Sequence, residues 1–223
     1  MKTSFRNVKS CAKQAHFTGQ TMAILAQTAT IVDEVAAYIS RLLEEKLSDV
    51  YAFHNIEHTK DVVEAAERIG RASQLSEDDL IVLLTAAWFH DVGYTETYEG
   101  HEFVGVQLAE EYLAELGCES QFVERVISCI LATQMPQQPR NTVEEILCDA
   151  DVSNVGSDTF FEMSARLRKE LQAVKGEVFT DAEWYSVQHS FCKFHRFHSE
   201  YARRVLGAKQ LENLVVLERK RIG

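Results

Sequence analysis

Leu80–Tyr94, LIVLLTAAWFHDVGY, is the stretch whose reading decides the fold. An almost wholly apolar run ends in His90-Asp91 and breaks at Gly93. A helix that is apolar all round is a buried one. Asp91 falls on the helical stripe of Leu80, Leu84 and Ala87, so its side chain is expected to point inward. A carboxylate buried alone is very costly, so it needs a cation or takes up a proton. An adjacent His and Asp in this place read as neighbouring ligands of a metal ion. A lone pair of this kind is more often a core histidine followed by a loop aspartate, so the rest of the chain has to decide.

Outward from that helix the pattern stays helical. Upstream, Gln20 to Leu47 carries Ile24, Ala26, Ile31, Val35, Tyr38, Ile39, Leu42 and Leu43 on one side, and His54 to Gln74 reads as a second helix. Ser76 is placed to cap the central helix, with Glu77, Asp78 and Asp79 in its first turn, where the helix dipole favours anions. Downstream, helices are expected over His101–Leu116, Glu119–Thr133, Val143–Val155 and Asp158–Val174, and from Thr180 or Asp181 to about Phe194. Two short terminal helices, Glu200–Leu206 and Ala208–Arg221, complete the series. The segment Gln134–Asn141, QMPQQPRN, holds both prolines and is a loop. No convincing alternating strand and no repeat is present. The expectation is an all-α chain of one domain with about nine helices, preceded by a flexible segment over residues 1–18.

Composition narrows the classes. The chain has 223 residues, 46% apolar and 26% charged, enough for one large domain with a substantial core. Its net charge of −11, without a basic cluster, argues against a nucleic-acid polymer as partner. Five cysteines (Cys11, Cys118, Cys129, Cys148, Cys192) without CxxC spacing read as reduced thiols of a cytoplasmic protein. Thr21–Val32 after Lys2–Lys13 only faintly resembles a signal peptide, since Gln27, Thr28 and Thr30 interrupt it. No run has the length and apolarity of a membrane span.

Further inward-facing polar residues join His90 and Asp91. His54 and His58 are four apart and share a helical face, and His58 lies on the stripe of Val62, Ala65 and Ile69. His101 lies on the stripe of Val104, Leu108 and Tyr112. In Cys148-Asp149-Ala150-Asp151, the second acid aligns with Leu147 and Val155 and is expected to be the buried one. Asp149 is expected to be more exposed, or to sit one step behind it. Each residue alone is more often structural. Together they place histidines and acids in one core from four helices, and a shared divalent ion removes the burial cost.

His58, His90-Asp91 and Asp151 resemble the H…HD…D signature of the HD superfamily of metal-dependent phosphohydrolases. The contexts YAFHNIEHTKDVVEAA, LLTAAWFHDVGY, GHEFVGVQLAEEYL and EILCDADVSNVG agree with it. The chain is most similar to small bacterial HD proteins, some of which are fused to a membrane segment in cyclic-nucleotide-triggered defence effectors. The resemblance implies an HD-type helical domain over residues 19–223, with a motif core at 53–156 and C-terminal helices at 157–223. It implies that His58, His90, Asp91 and Asp151 hold the metal, with Asp91 also counted as catalytic. His54 matches the proton-donating histidine of cyclic-nucleotide phosphodiesterases in this superfamily. His101 matches a catalytic histidine in deoxynucleotide triphosphohydrolases and a second-metal ligand in two-metal members. The histidine expected near Ile130–Gln134 in two-metal members is missing, as are the acidic pair after HD and a GYP motif.

The expected cofactor is one divalent transition metal (Mn, Fe, Co, Ni or Zn), with Mg the candidate for a second, weaker site. Lys60, Arg168, Arg196 and His198 are candidates for binding substrate; their simpler readings are an exposed helix lysine and a packed helix end carrying cations. Tyr94, Gln134 and Gln137 are candidate pocket residues. The expected activity is hydrolysis of a nucleotide or other small phosphate ester by metal-activated water, with His54 or His101 as acid. The alternatives are a nucleotide-sensing HD module with little turnover and a metal-free helical protein. A homodimer is a candidate assembly.

Overall fold

Side-chain caps set the helix starts. Asn55 accepts hydrogen bonds from the backbone N–H of Glu57 and His58 and opens α2 (Ile56–Ala72). Ser76 does the same for α3 (Glu77–Phe89) and Asn141 for α6 (Thr142–Asp151). Thr180 and Glu183 form a capping box at the start of α8 (Asp181–Phe194). The computed structural model describes residues 31–222. Within them α1 spans 31–46, α4 His101–Glu115, α5 Ser120–Ala132, α7 Phe160–Lys175 and α9 Glu200–Ile222. Two short 3-10 turns, Val92–Thr95 and Ser153–Gly156, follow α3 and α6. Among the described residues all regular structure is helical, as expected. The expected flexible segment 1–18 and the first part of the Gln20–Leu47 helix lie outside the described residues.

The apolar helix α3 is the axis of the molecule. It packs against α2, α4, α5 and α6, and Leu83, Ala86, Ala87 and Phe89 are fully buried. α1 adds Val35, Ile39, Leu42 and Leu43 to the same core. A smaller cluster of Val155, Phe160, Cys192 and Leu217 ties the second 3-10 turn to α7, α8 and α9. Gly156 belongs there for a steric reason: a Cβ would lie 2.5 Å from the carbonyl oxygen of Leu206.

Three expectations are corrected. α9 is one continuous helix through Gly207, where two short ones were expected. One helical glycine costs only about 1 kcal/mol, and burial of Ala202, Leu206, Gln210, Asn213 and Leu217 along α9 outweighs it. Asn141, not Thr142, caps α6, which stops at Asp151 before the second 3-10 turn. His54 lies outside α2, because Asn55 at the cap is in extended conformation, so His54 and His58 do not share a helical face.

Candidate metal centre

Three segments deliver the four residues of the centre. His58 comes from the first turn of α2, His90 and Asp91 from the C-terminal end of α3, and Asp151 from the last residue of α6. One ligand-type atom from each lies within 4.8 Å of the others. His90 Nε2 is 3.1 Å from Asp91 Oδ2 and 3.7 Å from Asp151 Oδ1; His58 Nε2 is 3.3 and 3.5 Å from the same oxygens. These contacts are close but misaligned. His58 Nε2, His90 Nε2 and Asp91 Oδ2 are buried without a hydrogen-bond partner among the described residues. Buried polar atoms are nearly always paired. Three orphans aimed at one point, from a nitrogen and carboxylate donor set, fit a divalent transition metal.

Backbone geometry fixes these rings. His90 Nδ1–H donates to Ala87 O at 2.7 Å, which leaves Nε2 with its lone pair toward the cluster. His101 Nδ1–H donates to Tyr98 O at 3.2 Å, and its Nε2 lies 3.4 Å from Asp91 Oδ1 and 3.7 Å from Glu102 Oε1. Gly93 permits this approach, since a Cβ there would sit 1.9 Å from His101 O. The charges reinforce one another. Burial pulls His58 down, yet the carboxylates of Asp151 and Asp91 drive it up to about 10. Burial works to raise Asp91, while His90, His101 and His58 hold it well below the usual carboxylate range. Protons and a divalent cation would therefore compete for the same atoms.

His54, placed just ahead of α2, is held differently. Its Nδ1 lies 2.5 Å from Glu170 Oε1, and Glu170 Oε2 accepts from the backbone N–H of Phe53 and His54 at 2.8 and 2.9 Å. Glu170 is completely buried on α7. Burial would raise its carboxyl, but the bonds from His54 and the backbone keep it below its ordinary range. Sequence reading missed Glu170, which sits in a charged helix 116 residues from its partner. Tyr94 separates the two candidate acids: its ring stacks on His54 at 4.4 Å and on His101 at 3.9 Å.

The acids of Asp149-Ala150-Asp151 exchange their expected exposure. Asp149 is 0% exposed and Asp151 retains 21% of its side-chain surface. Asp149 accepts from the backbone N–H of His198 and Ser199 at 2.6 and 2.7 Å and ties α6 to the start of α9. Burial raises its carboxyl against those two bonds.

The candidate substrate residues are scattered. Lys60 lines a groove with Tyr51, Asn55, Arg166 and Lys169. Arg168 is committed to Asp181 and to the carbonyl of Phe179. Arg196 binds the carbonyls of Lys193 and His195 at the exposed end of α8. His198 gives its backbone N–H to Asp149. Gln137 donates to Cys148 O, and Gln134 lines a cavity with Phe103, Met135 and Pro136. A cavity of about 530 Å³ reaches His58 and Asp151 from the α2 and α9 side, within the range of small-molecule sites.

Residues 55–154 match the HD domain family model, and the match contains all four convergent residues. Residues 55–154 therefore carry an HD domain. Known structures share the fold. Bacillus subtilis YpgQ in complex with ADP superposes with a TM-score of 0.64 at 16% identity, over 86% of this chain and 94% of that one. A Lactobacillus plantarum protein gives 0.63 at 13%, over 85% and 94%. A predicted HD superfamily hydrolase from an uncultured Thermotogales bacterium gives 0.57 at 21%, over 82% and 89%. At these identities the likeness is one of fold. No curated protein matches the sequence. Among the described residues no helix is long and apolar enough to cross a membrane.

Proposed function

We propose that this HD domain is a metal-dependent phosphohydrolase or phosphodiesterase acting on a nucleotide or another small phosphate ester. The observation that carries the reading is the set of orphaned atoms of His58, His90 and Asp91, with Asp151 beside them. His58, His90, Asp91 and Asp151 would hold a divalent ion, which when bound would acidify water and offset negative charge on a phosphate ester. The remaining work belongs to the chain. His54 is assigned as the acid for the leaving oxygen: Glu170 holds its Nδ1 and leaves Nε2 available. His101, with its Nε2 beside Asp91 and Glu102, orients the Asp91 carboxylate. Tyr94 keeps the two imidazoles apart by stacking on both. ADP in the related YpgQ structure supports a nucleotide as the ligand class.

The test pairs elemental analysis of protein purified without added metal with a panel of phosphomonoesters and phosphodiesters. About one transition-metal ion per chain and metal-dependent turnover are expected. Metal-free protein that takes up no divalent ion on loading ends the proposal.

A further inference from the structure

We propose that Tyr51 and Tyr98, over the floor formed by Tyr94, make a platform on which the substrate stacks a flat heteroaromatic ring, a nucleobase. This deepens the phosphohydrolase reading and rests on it for the placement of the phosphate. Three segments bring the rings together: the connection before α2, the 3-10 turn after α3, and the loop before α4. Tyr51 and Tyr98 are parallel within 11° at 6.3 Å between centroids. Tyr94 lies 5.5 Å from one and 5.4 Å from the other, tilted by 55° and 62°. The Tyr94 ring also stacks on His54 and His101, so the platform adjoins the proposed acid and the Asp91 side of the centre.

Tyr94 is buried, yet neither apolar cluster of the described residues includes any of the three tyrosines. Tyr51 and Tyr98 keep part of their surface exposed. Tyr112 shows the contrasting use of a phenol, its hydroxyl donating to Glu34 O.

Charge selects the kind of ring. Lys175 Nζ stands 4.7 Å over the Tyr98 ring, so a cationic head group such as a quaternary ammonium meets a like charge there. A nucleobase has a neutral π-face, and base–aromatic stacking tolerates every base. The cavity that reaches His58 and Asp151 suits an anionic ester less well, since Asp61, Glu64, Asp151 and Asp158 line it and Arg68 is the one lysine or arginine in its lining.

The experiment titrates full-length, metal-bearing protein with AMP and with ribose 5-phosphate, read as dissociation constants, or as KM where the ester is turned over. Wild type is expected to prefer AMP by about tenfold or more, the scale of one stacked base. Tyr98→Leu should bring that ratio close to one with metal content and ribose 5-phosphate affinity unchanged, and Tyr98→Phe should keep it. Tyr51→Leu, on a separate segment, is the second variant. Equal affinity for the two esters in wild type, no binding of either, or a preference that survives both leucine variants overturns the proposal. Selective AMP binding without turnover of any ester would sink the hydrolase reading and leave the platform standing. Turnover without base preference does the reverse.

Discussion

Asp91 and Glu144 are both removed from water, 7% and 2% exposed, and the chain treats them in opposite ways. Glu144 is saturated: its Oε1 accepts from Ser128 Oγ and Asn141 Nδ2, and its Oε2 from the backbone N–H of Arg140. Asp91 Oδ2 has only misaligned imidazole nitrogens around it, two of them also unpaired. The difference teaches that burial of a charge does not mark function. Saturated carboxylates such as Glu144, Asp149 and Glu170 hold elements together. A carboxylate left short of partners beside other unpaired ligand atoms is arranged for something that arrives later.

The largest test of that contrast is a pair of truncations. Asp91→Ala should take metal content from about one per chain to near zero, with turnover falling below detection. Glu144→Ala should keep metal and turnover and lose about 1–3 kcal/mol of stability, the usual cost of stranding buried donors. Elemental analysis with chemical denaturation reads both, and equal metal loss would break the comparison.

Next in size is Glu170→Gln, which probes a saturated carboxylate proposed to serve the reaction through His54. Metal content should stay near wild type, while turnover of esters with poor leaving groups drops by roughly 100-fold, the scale of general acid catalysis. p-Nitrophenyl esters, which need no proton, should be largely spared. A uniform loss across leaving groups would reduce Glu170 to a structural tie.

Asp149→Ala comes third. It should cost about 2–3 kcal/mol by leaving the His198 and Ser199 N–H groups without their charged acceptor. Metal stoichiometry should hold, because Asp151 is the acid of this pair that joins the metal set. Denaturant midpoints together with metal content decide it.

These last two residues also show where the sequence is legible. His90-Asp91 alone has a plain structural reading, a core histidine followed by a loop aspartate, and it stood out because His58 and Asp151 complete the motif with it. Asp149 was misjudged because helical stripes describe one helix, and the start of α9 covers that face from about 50 positions away. Glu170 was invisible: in RLRKELQ it looks like any solvated charge, and only tertiary packing aims it at His54. Periodicity placed the helices well, yet it missed the cap at Asn55, where a side chain's bond to the backbone overrides the pattern.

The smallest effect concerns a half-buried base rather than an acid. His195 is stacked on Phe191 and edge-on to Phe197, and its Nε2 has no partner among the described residues. Burial, with help from His198 and Arg196, lowers it to about 4. The unfolded chain therefore takes up this proton first, near its ordinary value of 6.5. Stability from this group is complete above that value and is lost as pH falls toward about 4. His195→Phe should flatten that part of the profile. Parallel wild-type and variant curves of thermal midpoint against pH would show that this ring is not held neutral.

The residues matching the HD domain, 55–154, contain all four of the convergent ligands, whereas His54 precedes that span and Glu170 and Lys175 follow it. In the proposed reading the ion-holding residues thus fall within one stretch, while the partners of His54 and Tyr98, Glu170 and Lys175, come from α7 beyond it. A lineage can redraw α7, exchanging the residue opposite His54 or the lysine over Tyr98, while the ion-holding set stays untouched. Chemistry and selectivity in this architecture are free to drift at different speeds.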